Sequence, residues 1–253
     1  MKQSKTTLSK ISTKPGKKVD KKQIKKETAI LKEEIADLAH TLMAEKKQSI
    51  LLVLQGMDSS GKDGATKKVF SRCSPHVVKA YPFKKPTDLE FSHDFLWRAH
   101  KIAPAKGEIA IWTRSHYEDI LIQSVHKWID KKTVAARMKA INDFEELLSV
   151  HNNTKVIKCY LHLSKDRQLE KLQERLDIPE KNWKHNDGDW EERKHWDAYM
   201  KAYEYAINES VIPWHIVPVD SRWYRDYTIA SIVKQSLTEM NPQYPILPQK
   251  NGK

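Results

Sequence analysis

Apolar residues in this chain follow two rhythms, and their alternation predicts an α/β fold. Five short stretches are mostly apolar: 50–54, 77–81, 108–112, 156–163 and 214–219. Runs of that length suit parallel strands whose two faces are both covered. Between them the spacing turns helical. Ile24, Leu31, Ile35, Leu38 and Leu42 mark a helix over about 22–47, and Met138, Ile141, Phe144, Leu147 and Leu148 line the predicted buried side of another over 131–152. Further helices are expected at 62–72, through Phe91, Phe95, Leu96 and His100, from Ser164 to just before Pro179, over 189–210 and over 224–240. Thr87 with Glu90 three residues on reads as a capping box, and Ser164 as an N-cap.

Strand and helix in strict alternation predict a three-layer fold with a central parallel sheet. The 253 residues allow one such domain, placed at 21–245. Residues 1–20 are Lys-, Ser- and Thr-rich with few large apolar side chains, so a disordered basic tail is expected there, and a flexible tail over 246–253.

Composition narrows the setting. Two cysteines, Cys73 and Cys159, lie far apart without C-x-x-C spacing, which argues against a disulfide framework or zinc site and for a reducing, cytoplasmic location. No apolar stretch is long enough to span a membrane, and the basic N-terminus lacks the apolar core of a signal peptide. The net charge of +12 points to an anionic partner. No homeodomain, zinc-finger or RNP-like signature accompanies the scattered lysines, which disfavours nucleic acid; a phosphate-rich substrate, a polyanion or an acidic surface would each explain the charge, and charge alone does not choose.

The strand at 50–54 runs into Gln-Gly-Met-Asp-Ser-Ser-Gly-Lys-Asp-Gly, in which Gly56, Gly61 and Lys62 have G-x-x-x-x-G-K spacing. Strand before and helix after make this a P-loop. Gly56, Met57, Ser59, Ser60, Gly61, Lys62 and Gly64 are the candidate phosphate cradle, built from backbone N–H groups, a helix N-terminus and one mobile ammonium. Asp63 replaces the usual hydroxyl residue that touches Mg²⁺. Asp58, a hard carboxylate inside the loop, is the substitute candidate for the metal.

Three other stretches carry candidate chemistry. Lys84 and Lys85 sit where a loop leaves a strand's C-terminal edge, and they read equally as nucleotide-binding groups, with Arg114 and Glu118, or as solvated lysines. After the strand at 108–112 comes Thr113, where a Walker-B Asp is expected, and then Arg114, Ser115, Glu118 and Asp119, either a polar active edge or the cap of the next helix. Residues 175–196 interleave basic groups with three tryptophans. A lid over about 167–200, closing with Arg175, Lys181, Lys184 and Arg193 while the tryptophans anchor it, is one reading; a surface helical hairpin is the other.

Gly-Met-Asp-Ser-Ser-Gly-Lys-Asp-Gly at 56–64, Arg-Ser-His-Tyr-Glu-Asp at 114–119 and Glu-Arg-Leu-Asp-Ile-Pro-Glu-Lys-Asn-Trp-Lys at 174–184 together resemble the polyphosphate kinase 2 family, in its class III branch. The resemblance implies a P-loop kinase-like fold with a helical lid, and phosphoryl transfer from inorganic polyphosphate to a purine nucleotide, AMP to ADP and ADP to ATP, with Mg²⁺ or Mn²⁺. It implies Asp58 at the metal, Asp58, Lys62, Asp63 and Arg114 as the catalytic group, Arg175, Lys181 and Lys184 as lid cations, and Glu118 at the acceptor nucleotide. Where class III resembles Asn before that arginine, and other classes Asp, this chain has Thr113. A homo-oligomer, dimer or tetramer, is expected. Two other functions fit a P-loop: an ATP-dependent nucleotide or small-molecule kinase, and a non-catalytic polyanion-binding protein.

Overall fold

The sheet has five parallel strands in the order β2-β3-β1-β4-β5: β1 (Ser49–Gln55), β2 (Val78–Pro82), β3 (Ile109–Thr113), β4 (Thr154–His162) and β5 (Trp214–Pro218). The structure, a computed structural model, describes residues 5–247. Alternate strand residues face opposite ways. Ile50, Leu52, Leu54, Ile109, Ile111, Ile157 and Cys159 face one helical layer: α1 (Lys21–Glu45), α2 (Lys62–Val69) and α10 (Arg222–Met240). On the other face Leu51, Val53, Ala110 and Trp112 meet α6 (Lys131–Glu146) through Phe144. Expectation and structure agree on the three-layer fold.

Several predicted elements changed shape. One helix through Phe91 to His100 is instead α3 (Asp88–Phe91), whose Thr87–Glu90 capping box is present, and α4 (Trp97–His100). Asp94 accepts from Leu96 N at 2.9 Å, and this local carboxylate bond competes with helix continuation. Short α5 (Ile122–Val125) follows β3, and a π-turn, Leu147–His151, ends α6. There Leu148 stays buried while Leu147 rotates out to 45% exposure, because the extra residue per turn shifts the face. The helix expected over 189–210 is broken at His195 into α8 (Asp187–Lys194) and α9 (Trp196–Glu209). Ser164 does cap α7 (Lys165–Asp177), accepting from Arg167 N at 3.2 Å.

The tail expected at 1–20 is corrected over its described part. Residues 5–13 form a strap. Leu8 is 1% exposed among Met57, Tyr117, Tyr160 and Tyr203. Thr6 and Asn208 exchange two hydrogen bonds, Leu8 N donates to Glu204 at 2.7 Å, and the Thr13 hydroxyl donates to Asp220 at 2.7 Å. One buried leucine and side-chain acceptors on α9 suffice to order a segment whose composition looks solvated. Residues 1–4 and 248–253 lie outside the described residues; Ile246 and Leu247, at the start of the expected flexible tail, are exposed. Cys73 and Cys159 are free thiols. No helix among the described residues is long and apolar enough to cross a membrane.

Candidate active site

Ligands of open α/β sheets collect beyond the strand C-termini, where chain connections depart to opposite sides of the sheet. Here that place is β1, flanked by β3 and β4, and the loop from Gly56 to Gly61 emerges there. Gly56 has φ +152, and a Cβ there would sit 2.8 Å from the Leu161 carbonyl. Gly61, with φ +93 at the start of α2, is favoured by its left-handed backbone; a Cβ there would lie 2.2 Å from Arg225 Nη1 and displace that side chain. Close approach dictates the first glycine and backbone conformation the second.

The loop borders a cavity of about 730 Å³ lined by eleven Lys and Arg against five Asp and Glu. Of the sequence-predicted cradle, Ser59, Gly61, Lys62 and Gly64 line it, with Asp58 and Asp63. Gly56, Met57 and Ser60 lie behind the surface; Met57 packs with Tyr117 and Leu8, 4% exposed. Lys62 Nζ folds onto the loop, donating to Gly56 O at 2.7 Å and Met57 O at 3.2 Å. Burial, with the charge of Arg114, holds its pKa below the usual lysine value against the pull of Asp58 and Glu118.

Arg114 leaves β3 with φ +60, a left-handed backbone unusual for a side chain of this size, and donates to Asp58 at 2.5 Å. Burial works against the Asp58 charge, yet Arg114 and then Lys62 hold its carboxyl below the ordinary range. Thr113 lines the cavity beside them. Glu118 does not reach the cavity lining. It accepts from Gln55 Nε2 at 2.6 Å, and burial raises its pKa, partly offset by Arg114 and Gln55. The neighbouring Asp119 is tied to Arg98 at 3.1 Å, so this part of the turn is structural. Lys84 lines the cavity; Lys85 is exposed outside it.

The segment expected to be a lid lies over the loop. α7 rests on it through three bonds: Gln168 to Asp58 O at 3.0 Å, Lys171 Nζ to Ser59 O at 3.2 Å, and Arg175 to Ser59 Oγ at 2.8 Å. Arg175 also holds Asp189 of α8 at 2.5 Å. A short 3-10 turn, Pro179–Lys184, carries Lys181 and Lys184 to the cavity, with Lys181 bonded to Glu174 at 2.7 Å. Arg193 instead bonds Lys165 O and Gln168. The tryptophans differ in role: Trp196 is buried, whereas Trp183 is 78% exposed at the cavity and anchors nothing.

Sequence reasoning missed Lys171, Arg222 and Arg225. Arg225 is 4% exposed, lies against Gly61 and Gly64, and is steadied by Asp226 at 2.6 Å. No motif surrounds it. Lys171 was visible only as one charge on a helix; burial, then Arg225, Arg167 and Arg222, lower its pKa to about 8. Asp220 joins these parts, accepting from Ser164 N at 2.9 Å and from the strap's Thr13.

A loop of this kind, with a cation-rich wall, a carboxylate and an arginine at β3, can bind and align two phosphate groups. The chain matches a protein-family model described as "Polyphosphate kinase 2 (PPK2)" over residues 18–245. It is 41% identical over 220 residues to the AMP/ADP-polyphosphate phosphotransferase of Meiothermus ruber, covering 86% of this chain and 82% of that protein. The ADP-polyphosphate phosphotransferase of Rhodopseudomonas palustris is 36% identical over 228 residues, 84% of this chain and 78% of the relative. Among solved structures, polyphosphate kinase 2 from Arthrobacter aurescens TC1 superposes with a TM-score of 0.91 at 38% identity, covering 95% of this chain and 88% of that one.

Proposed function

The chain belongs to the polyphosphate kinase 2 family, and on that premise we propose the reaction and the roles of its residues. The protein is a phosphotransferase that moves a terminal phosphoryl group from inorganic polyphosphate to a nucleotide. AMP becomes ADP and ADP becomes ATP, in keeping with the names of its relatives in Meiothermus ruber and Rhodopseudomonas palustris. The observation that carries this reading is the cavity wall: eleven cations against five acids around a P-loop suit a donor that is phosphate throughout its length.

The terminal P–O–P bond of the donor breaks, a nucleotide phosphate oxygen takes the phosphoryl group, and the chain leaves one phosphate shorter. Because the transition state is loose and its charge lies on peripheral oxygens, positioning and cations do most of the catalysis. Lys62 and the loop amides bind the transferring group, Arg175, Lys171 and Arg225 the donor chain, and Arg114 with Lys84 the acceptor phosphate. An incoming phosphate competes with Asp58 for Arg114, so binding frees the carboxylate. Asp63, at the first turn of α2, orients the phosphates through Lys62. A nucleotide phosphate is already ionised near neutral pH and needs no strong base.

Mg²⁺, or Mn²⁺, fits this donor set. Among the described residues no three His, Cys, Asp or Glu form a cage, but Mg²⁺ is commonly held by one or two carboxylates and substrate phosphates. Asp58, kept ionised, would hold it, with Thr113 orienting a coordinated water. When bound it supplies charge neutralisation between donor and acceptor. We also propose a homo-oligomer, dimer or tetramer, in the cytoplasm; the exposed Trp128, Val150 and Val211 leave apolar surface for a subunit contact. The segment at 167–200 acts as the lid.

Nucleotide chromatography tests the reaction. AMP, ADP, GMP and GDP are each incubated with Mg²⁺ and either polyphosphate or ATP as sole donor. Adenine nucleotide products with polyphosphate are expected; products with ATP alone would leave an ordinary nucleotide kinase.

A further inference from the structure

The side chains of the lysines on the strap's outgoing end and the start of α1 have no partner among the described residues. Lys14, Lys17, Lys18, Lys21, Lys22, Lys25 and Lys26 are all exposed, and none makes an ion pair among the described residues. Over 14–26 the only acid is Asp20, already engaged as the α1 N-cap by Lys22 N at 2.6 Å. Seven cations in this stretch compare with a net charge of +12 for the whole chain, so much of the excess is gathered here. Two of them, Lys21 and Lys22, occupy the first turn of α1, where the helix dipole disfavours cations. Folding does not explain that placement.

Topology sets these lysines at the rim of the active site. The strap is bonded to Asp220, two residues before Arg222 of the cavity wall. α1 and α10 then lie side by side, with Lys234 3.7 Å from Glu34. At 1.5 Å per residue, Lys21 is about 20 Å back along α1 from that pair and Arg222 about 18 Å back along α10. The two helices therefore begin at the same level. α2 brings Lys67 and Lys68 to the cavity, and the turn that follows it is joined to α1 by Arg72–Glu33 at 2.9 Å.

We propose that the lysine run at 14–26 is an anchoring surface for polyphosphate beyond the transfer site, continuous with Arg222 and engaged by chains too long for the cavity. The inference rests on polyphosphate as donor. Its occupant is a linear polyanion, held by ionic contacts and counterion release, without bonds made or broken at the lysines. A short oligophosphate ends inside the cavity and never meets them; a long chain meets both, and the linked contacts tighten its binding.

The test is a full-length variant in which all seven lysines are replaced by glutamine, compared with the unaltered enzyme on a short linear oligophosphate and on long-chain polyphosphate. The KM for the long chain rises about tenfold, a modest part of what polyanion binders lose with several phosphate contacts. Its kcat, and both constants for the short donor, stay within twofold. An unchanged long-chain KM overturns the proposal, and so does an equal rise for both donors, which would mean a general field. Anisotropy of labelled long-chain polyphosphate without nucleotide separates this idea from the donor reading. Length-dependent binding that needs the seven lysines, together with no ATP from a parallel reaction of polyphosphate, ADP and Mg²⁺, would overturn the donor reading while polyphosphate binding at the lysines stands; length-independent binding would overturn the anchor.

Discussion

Lys158 is a lysine at the centre of the sheet, 0% exposed, and replacing it with methionine should reveal how the acceptor turn is held. Its ammonium lies 2.6 Å from Glu145 and 2.7 Å from the Tyr117 hydroxyl, which in turn contacts Ser210 at 3.0 Å. His116 Nε2 is 3.4 Å from the same carboxylate. Tyr117 lies in the turn that follows Arg114, the residue proposed to hold the acceptor phosphate, so this buried network holds that turn in place. Lys158→Met removes one partner and leaves Glu145 charged and buried. Such losses cost about 3–5 kcal/mol. For a chain of this size that is a fall in melting temperature on the order of 10 °C.

The double variant Lys158→Met/Glu145→Leu should recover most of that stability, because a pair replaced by apolar groups is often neutral. Its kcat should remain low, since Tyr117 has lost its main partners. Urea unfolding of both variants, read with steady-state kinetics for AMP, makes the comparison. A single variant losing under about 1 kcal/mol would refute the reasoning, because the pair would then not be acting as a buried one. The pH dependence has a definite sign. Burial opposes the charge of Glu145, but His116 and Lys158 hold its pKa below the usual value. Its contribution is present above the unfolded pKa and disappears as pH falls through the lower folded one. The double variant, which lacks Glu145, should lose that acid-side dependence.

Other consequences are narrower. Lys171, with a pKa lowered to about 8, is charged below that pH, so KM for polyphosphate should climb as pH rises through 8, and Lys171→Arg should flatten the climb. Gly61→Ala places a Cβ against Arg225 at φ +93, costing roughly 1–3 kcal/mol of stability and displacing Arg225; a melt and the polyphosphate KM read the two effects. Leu8→Ala should cost about 2–5 kcal/mol, as for a core leucine, and a loss below 0.5 kcal/mol in urea unfolding would return the strap to a solvated tail.

The sheet was legible because parallel strands covered on both sides are written as apolar runs, and the P-loop because its glycines and lysine sit within a few residues of each other. Local sequence brought Lys62, Asp58 and Arg114 forward, and the structure sets all three at one cavity. Arg225 was not, since it reaches Gly61 only through the order β1-β4-β5 and the packing of α10 on α2, neither of which leaves a local pattern. The strap was hidden for a related reason: its order comes from Glu204, Asn208 and Asp220, nearly two hundred residues or more away. Lys85 and Glu118 differ again: a charge beside a strand end looks functional in sequence, and the structure sets Lys85 outside the cavity lining and holds Glu118 against Gln55.

Transfer of polyphosphate phosphorus at the P-loop is the central claim, and Lys62 is where it can be tested most directly. Radiolabelled polyphosphate with ADP and Mg²⁺, followed by nucleotide chromatography, compares the enzyme with Lys62→Ala shown to be folded by its melt. Labelled ATP from the unaltered enzyme and a loss of two or more orders of magnitude in the variant, several kcal/mol of barrier, is the predicted result. Near-normal labelled ATP from folded Lys62→Ala would place the transfer elsewhere and contradict the account.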